Sequence, residues 1–231
     1  MRTLVQFIAV ILVVGLLAGC SAAASPSAPV AGATAPPASA APGSVDIAAA
    51  EQYCTDQGGT LVDRTATWNT NADQSTWLTL AGRMTLCEFV DASGESPTRI
   101  SVDLVTLYSE APTLAAVAYL SKIPTVSDPR NPGANPSAYN CNTGLGGAAS
   151  FGNTAAGGGW VNTDPALVGE DASGNPVFVV MDLCVFADMS AIDEWGIFYY
   201  ANGTVRGADL ATKMRYQPGP EGLPAIFAPA T

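Results

Sequence analysis

The chain has 231 residues, 20 acidic against 9 basic side chains, a formal net charge of −11 and no histidine. A surface of that sign repels phosphate backbones and anionic lipid headgroups, which sets nucleic acid aside as a partner. The lack of histidine removes Ser-His and Cys-His nucleophile systems and imidazole metal sites together.

Arg2 precedes an apolar run over residues 4–17 that ends too soon to span a bilayer with ordinary flanks, the layout of a cleaved secretory signal. Its end, Leu17-Ala18-Gly19-Cys20, resembles the lipobox of bacterial lipoproteins, whose cysteine carries the acyl chains, palmitate among them, and becomes the first mature residue. The resemblance implies a signal peptide over 1–19 and lipidation at Cys20. It also implies residence on the extracytoplasmic face of the cell membrane or outer membrane. One chain, at ~0.8 kcal/mol per buried CH₂, holds a protein only marginally, whereas several hold it firmly. Beyond Cys20, residues 21–44 are almost wholly Ala, Ser, Pro and Gly and carry no charge, so 20–44 is expected to be a lipidated tether without a core.

From residue 45 onward the chain is long enough to bury roughly two thirds of its surface. Asp46 can cap a helix over 47–57, and Gly58 supplies its left-handed stop. Strands are predicted over 60–68, 76–90 and 98–108, the last because Ile100, Val102 and Leu104 alternate with Ser101 and Asp103. The Asp-Ala-Ser-Gly sequence at 91–94 reads as a hairpin turn. A helix over 112–120 has Pro112 in its first turn. Asn135-Pro136-Ser137 starts a short helix, and residues 171–176 separate a strand ending near Gly169 from another over 177–187. A shorter helix is expected over 208–214, and the Pro-rich residues 217–231 are expected to be a tail lying on the surface.

A pattern around the first cysteine pair recurs around the second. Tyr53-Cys54, Gly58-Gly59 and Leu86-Cys87-Glu88-Phe89 are followed, in the same order, by Tyr139-Asn140-Cys141, Gly146-Gly147 and Leu183-Cys184-Val185-Phe186. The expected fold is therefore α+β and β-rich, with two related units over 45–130 and 131–216. Each is a helix plus an antiparallel hairpin stapled by a disulfide. With Cys20 set apart, the other four cysteines form an even set in an oxidising compartment, which predicts two disulfides. A four-thiolate zinc site would need short spacings that neither pair shows. A helix carrying the first cysteine over a hairpin carrying the second favours Cys54 with Cys87 and Cys141 with Cys184.

The segment Cys184-Val185-Phe186 through Ile192-Asp193-Glu194-Trp195 resembles the C-terminal half of a family of small bacterial lipoproteins that bear the name hemolysin, a domain of unknown function. In that family Ile-Asp-Glu-Trp begins eight residues after a cysteine, as here. Its N-terminal half, Tyr-Cys followed by Gly-Gly, resembles Tyr53-Cys54 and Gly58-Gly59. Neither unit has both halves intact: the first lacks Ile-Asp-Glu-Trp after Cys87, and the second has a displaced Gly-Gly and an extra residue between Tyr139 and Cys141. A single family domain with a long insertion is thus an alternative, and it would pair Cys54 with Cys184 and Cys87 with Cys141. The family name does not imply lysis, since the chain has neither an amphipathic helix of adequate length nor a basic face.

Asp193-Glu194 invites comparison with glycosidase carboxylate pairs, but neighbours in a strand point to opposite faces and cannot flank one bond. A structural role is expected, such as hydrogen bonding to backbone amides at a strand start. Trp195 is expected in the core because it opens the apolar run of Ile197, Phe198, Tyr199 and Tyr200. Asp171, Ser173, Asn175 and Asp182 have the spacing of a calcium loop, yet Pro176 stands where glycine is required, so a hairpin and no metal is expected. The glycines from Gly146 to Gly159 lack a following Lys-Ser/Thr and read as a flexible loop, not a phosphate cradle. No cofactor is expected. The function these features suggest is a monomeric, non-enzymatic binding module that engages a macromolecule of the cell envelope or exterior, as inhibitor or partner. The alternative is a carboxylate-dependent hydrolase acting on cell-wall or glycan substrate.

Overall fold

A computed structural model describes residues 45–149, 156–162, 169–170, 174 and 176–227. The signal, Cys20 and the tether lie outside the described residues. Helix α1 (Ile47–Asp56) starts where Asp46 accepts the Ala49 N–H at 3.3 Å, and Gly58, at φ +83°, turns the chain out of it. Strand β1 (Thr60–Trp68) runs antiparallel to β2 (Leu78–Asp91), and β2 to β3 (Thr98–Asp103). The strand expected over 98–108 stops early because the Asp103 carboxylate accepts the Thr106 N–H at 2.9 Å and opens helix α2 (Leu104–Tyr108). Leu104 is buried all the same, which is why alternation alone did not reveal the change. Helix α3 (Leu114–Ser121) follows, capped by Thr113 and so displaced from Pro112.

The second half begins with α4 (Pro136–Tyr139), capped by Asn135, and a π-helical turn over Asn140–Gly144. Strands β4 (Ala148–Ala149), β5 (Gly158–Asn162), β6 (Gly169–Glu170), β7 (Pro176–Val177), β8 (Val180–Met181), β9 (Leu183–Val185) and β10 (Ala191–Asp193) follow, then helix α5 (Glu194–Ala201). A single 3-10 turn, Leu210–Thr212, stands where a helix over 208–214 was expected, because Asp209 caps only that turn. The expected strand over 177–187 is three pieces: β7 pairs with β6, β8 with β5, and β9 with β10 and β4. The glycine stretch is not simply a loop either, since Gly158 and Gly159 belong to β5; residues 150–155 lie outside the described ones.

Eight strands form one sheet in the order β4-β9-β10-β3-β2-β1-β5-β8. Only Asp182 separates β8 from β9 in sequence, yet five strands separate them in the sheet, so the sheet is curled into a half-barrel. Its first six strands read the same from either end: β4, β9, β10 against β1, β2, β3. One row of side chains runs across their helix-covered face as Ala149, Cys184, Ile192, Val102, Cys87, Leu61. The two related units therefore meet at the antiparallel pair Ile192 and Val102, and Val102-Asp103 stands in the first unit where Ile192-Asp193 stands in the second.

The disulfides are Cys54–Cys87 and Cys141–Cys184, one inside each unit. They explain the Gly-Gly pairs. Gly58 and Gly146 both have positive φ, and a Cβ on Gly59 or Gly147 would lie 2.3 Å from the Cys87 sulfur or 2.6 Å from the Cys184 sulfur. Both second glycines donate their N–H to the carbonyl of the helix cysteine at 2.9 Å. The displacement of Gly146-Gly147 by one residue is taken up in the π-helical turn, the usual way a helix absorbs an insertion.

The main core lies between this face and the helices, where Phe89, Ile100 and Val102 meet Leu107, Val117, Tyr119 and Ile197. The 217–231 segment is not merely a surface tail: Leu223 and Phe227 pack against this core, and the Phe227 ring meets Phe186 at 6.1 Å. Among the described residues no helix is long and apolar enough to cross a membrane.

Candidate functional site

On the concave face the side chains that alternate with the core residues come together. Cys87 and Phe89 of β2 point to the helices, so Leu86 and Glu88 point away from them, as do Arg99 and Ser101 of β3 beside Ile100 and Val102. Arg64 of β1, 1 % exposed, donates to Glu88 Oε2 at 2.8 Å and to the Val179 carbonyl at 3.2 Å. The Ser101 hydroxyl donates to the same carboxylate oxygen at 3.1 Å. Burial lowers the Arg64 pKa, and the Glu88 carboxylate opposes that shift. The Arg64 Nε is buried without a hydrogen-bond partner among the described residues.

Next to this ion pair lies a cavity of about 200 Å³ walled by Arg99, Asp182, Asp193, Trp195 and Arg206, with Val180 and Met181 beside them. The chain between α5 and the 3-10 turn carries Arg206. It is tied to β3 by the Gly207 N–H, which donates to Thr98 Oγ1 at 3.0 Å, and any Cβ at Gly207 (φ +63°) would lie 2.2 Å from the Phe89 carbonyl oxygen. The Arg206 guanidinium sits 5.0 Å from the centroid of the Tyr199 ring, and its Nε is buried without a partner among the described residues.

Asp193 ends β10 and caps α5, its Oδ1 accepting the Gly196 N–H at 2.6 Å. Gly196 is required there: a Cβ would lie 2.6 Å from the Ile100 side chain. Burial pushes the Asp193 carboxyl up to about 6, while the Gly196 N–H and the guanidiniums of Arg206 and Arg99 pull it down. Burial also raises Asp182, whose carbonyl accepts the Glu194 N–H at 3.0 Å.

The Ile-Asp-Glu-Trp residues are thus divided among separate tasks. Ile192 lies in the row that joins the two units. Asp193 reaches the cavity, whereas Glu194, 1 % exposed, accepts from the Ser137 hydroxyl at 3.3 Å and holds α4. The two carboxylates do not flank one bond, but the expected strand start is a strand end that opens a helix. Trp195 is half-buried on the cavity wall rather than in the core, its ring stacked near Tyr199 with centroids 5.7 Å apart. Asp171, Ser173 and Asn175 lie outside the described residues, and Asp182 faces the cavity. Among the described residues no group of three or more His, Cys, Asp or Glu side chains stands close enough to hold a metal ion.

Sequence reasoning missed Arg99 and Arg206, and it met Asp182 only as part of a calcium-like spacing that it set aside. The signal for Arg99 was its phase, since it falls on the face opposite Ile100 and Val102. Nothing in sequence joins it to Arg206 or Asp182. Two guanidiniums beside an indole suit a planar carboxylate or another anion, which arginine holds through paired N–H groups. Protonation of Asp182 or Asp193 removes negative charge from the same cavity. Compared with protein-family models, with curated proteins and with solved structures, the chain matches none of them.

Proposed function

We propose that this chain is a lipid-anchored extracytoplasmic binding module, without catalytic activity, that holds an acidic group of an envelope or secreted protein at Arg99 and Arg206. The observation that carries the reading is the placing of two guanidiniums and a half-buried tryptophan around one cavity in a chain of net charge −11. Guanidiniums concentrated at one place on an acidic protein select an anionic group and orient it. The disulfides agree with an oxidising compartment outside the cytoplasm. Kinship with the hemolysin-named lipoproteins remains part of this proposal, resting on the Tyr-Cys, Gly-Gly and Ile-Asp-Glu-Trp residues.

The tagged full-length chain, used as bait against envelope and culture-supernatant proteins, is expected to retain a partner that Arg99→Ala and Arg206→Ala each lose. Equal retention by wild type and both variants contradicts the site. A second reading, a carboxylate-dependent hydrolase of cell-wall or glycan substrate, is favoured by one observation: Asp182 and Asp193 wall the same cavity and both are raised by burial. Release of soluble fragments from purified peptidoglycan by wild type, abolished in Asp182→Asn, would replace the first reading by the second.

A further inference from the structure

The two faces of the sheet differ in the ligands they suit. Thr65 follows Arg64 in β1 and so points to the opposite face. There Thr65, Thr67, Thr79, Gln74, Asn162, Trp77 and Phe178, with Val161, enclose a second cavity of about 330 Å³, the size of a small-molecule site. Among the described residues no charged side chain lines it, in a protein with 29 ionisable Asp, Glu, Lys and Arg residues.

The Trp77 and Phe178 rings meet at 64° with centroids 6.3 Å apart and form a corner of two aromatic walls. Trp77 is fixed in place: its indole N–H donates to the Ala72 carbonyl at 3.0 Å, at the end of a loop that bonds mainly to itself. Within that loop Asp73 Oδ1 accepts the Ser75 N–H at 2.9 Å, and the Asn69 amide donates to Thr76 Oγ1 at 2.9 Å. The loop is also joined to the approach to β5, through Asn69 N–H to the Gly157 carbonyl and Asn71 N–H to the Ala156 carbonyl, both at 3.1 Å. A Cβ at Gly157 would lie 2.5 Å from the Asn71 side chain, so the joint admits only glycine.

The geometry points to a binding site for a neutral saccharide: one face of a pyranose ring rests on Trp77 and Phe178, and its hydroxyls meet the threonine hydroxyls and the Gln74 amide. A charged ligand would find no counter-ion there among the described residues. A purely apolar one would cut the Gln74 amide and the Thr79 hydroxyl, both on exposed residues, off from water, at about 1–3 kcal/mol for each group left unpaired. A sugar has both an apolar face and a rim of hydroxyls, and the fixed tryptophan needs little ordering on binding. Among the described residues this site shares no lining residue with the arginine cavity, and it stands or falls separately from it.

The test is a titration of the purified full-length chain with N,N′-diacetylchitobiose and with cellobiose, followed by the indole N–H signals in ¹⁵N NMR. At least one disaccharide is expected to move the Trp77 signal, identified by its loss in Trp77→Phe. Gln74→Ala is expected to weaken binding by about tenfold, the equivalent of one hydrogen bond of about 1.4 kcal/mol, and Trp77→Ala to abolish it, while Arg99→Ala leaves it unchanged. Because Gln74 is exposed, its variant is not expected to disturb the fold. Absence of any shift at Trp77 with both sugars overturns the proposal, as does binding that survives Trp77→Ala unchanged.

Discussion

Asp103 and Asp193 occupy the same place in the two related units, each at the end of a strand and each capping the helix that follows, yet they differ in use. Asp103 is consumed by the fold: Oδ1 accepts the Thr106 N–H at 2.9 Å and Oδ2 accepts the Ala191 N–H at 2.7 Å, across the junction between the units. Asp193 keeps the capping bond to Gly196 but reaches the cavity that Arg99 and Arg206 share. A similar divergence separates Glu88, which holds Arg64, from Val185, which occupies the equivalent position after Cys184 and packs in a small apolar cluster with Leu86 and Leu183. One scaffold element used twice can be closed off in one copy and face a cavity in the other.

The largest effect should come from breaking the first unit's polar contacts. Glu88→Ala leaves a buried guanidinium uncompensated and is expected to cost about 3–5 kcal/mol, measured by urea unfolding, whereas Val185→Ala should cost about 1–3 kcal/mol. A Glu88→Ala loss below that of Val185→Ala would mean that the ion pair is not buried as described. Asp103→Ala strips two buried N–H groups of their acceptor, at about 1–3 kcal/mol each. Asp193→Ala removes one cap worth about 1 kcal/mol. Equal losses at the two aspartates would erase the distinction between closed and open copies.

Removing either disulfide sharpens the comparison at the level of whole units. The bridges close 33 and 43 residues, so Cys54→Ala/Cys87→Ala and Cys141→Ala/Cys184→Ala should each cost ~3–4 kcal/mol in the chain-entropy model. Smaller still is the effect of Gly59→Ala or Gly147→Ala, which force a methyl against the sulfurs and should cost about 1–3 kcal/mol each. Thermal denaturation should show the two to be similar. A neutral Gly147→Ala would show that the second Gly-Gly is not the counterpart of the first.

The features legible in the sequence were those carried by neighbours in the chain. Asp46, Asn135 and Gly58 marked helix ends correctly, and the spacing of Gly-Gly after Cys54 and Cys141 reflected a glycine wedged against a disulfide in both units. What stayed hidden depended on cross-strand register. Residues 177–187 looked like one strand because Val177, Val179 and Val180 are all strand formers, and nothing local says that β8 and β9 serve opposite ends of the sheet. Arg99, Asp182 and Arg206 meet only because the sheet curls, so no motif announces the cavity. The Ile-Asp-Glu-Trp segment drew attention for its resemblance, but Asp193 and Trp195 acquire a role only beside those distant arginines.

The smallest effect on stability concerns pH. A carboxyl raised to about 6 by burial favours the protonated folded state, so its contribution is present below the ordinary aspartate range and is lost as pH rises through about 6. Asp193→Asn keeps a capping side chain and removes this titration. The melting temperature of the variant should therefore fall less than that of wild type between pH 5 and pH 7, though Asp103 and Asp182, also raised by burial, leave some slope.

The most direct test of the open copy is a carbon-13 NMR titration of the Asp193 carboxyl in wild type and in Arg206→Ala. Wild type should titrate near pH 6, and the variant higher, because the Arg206 guanidinium favours the carboxylate; Asp103 should not respond. An Asp193 midpoint in the ordinary aspartate range, or one that is indifferent to Arg206, would contradict the account.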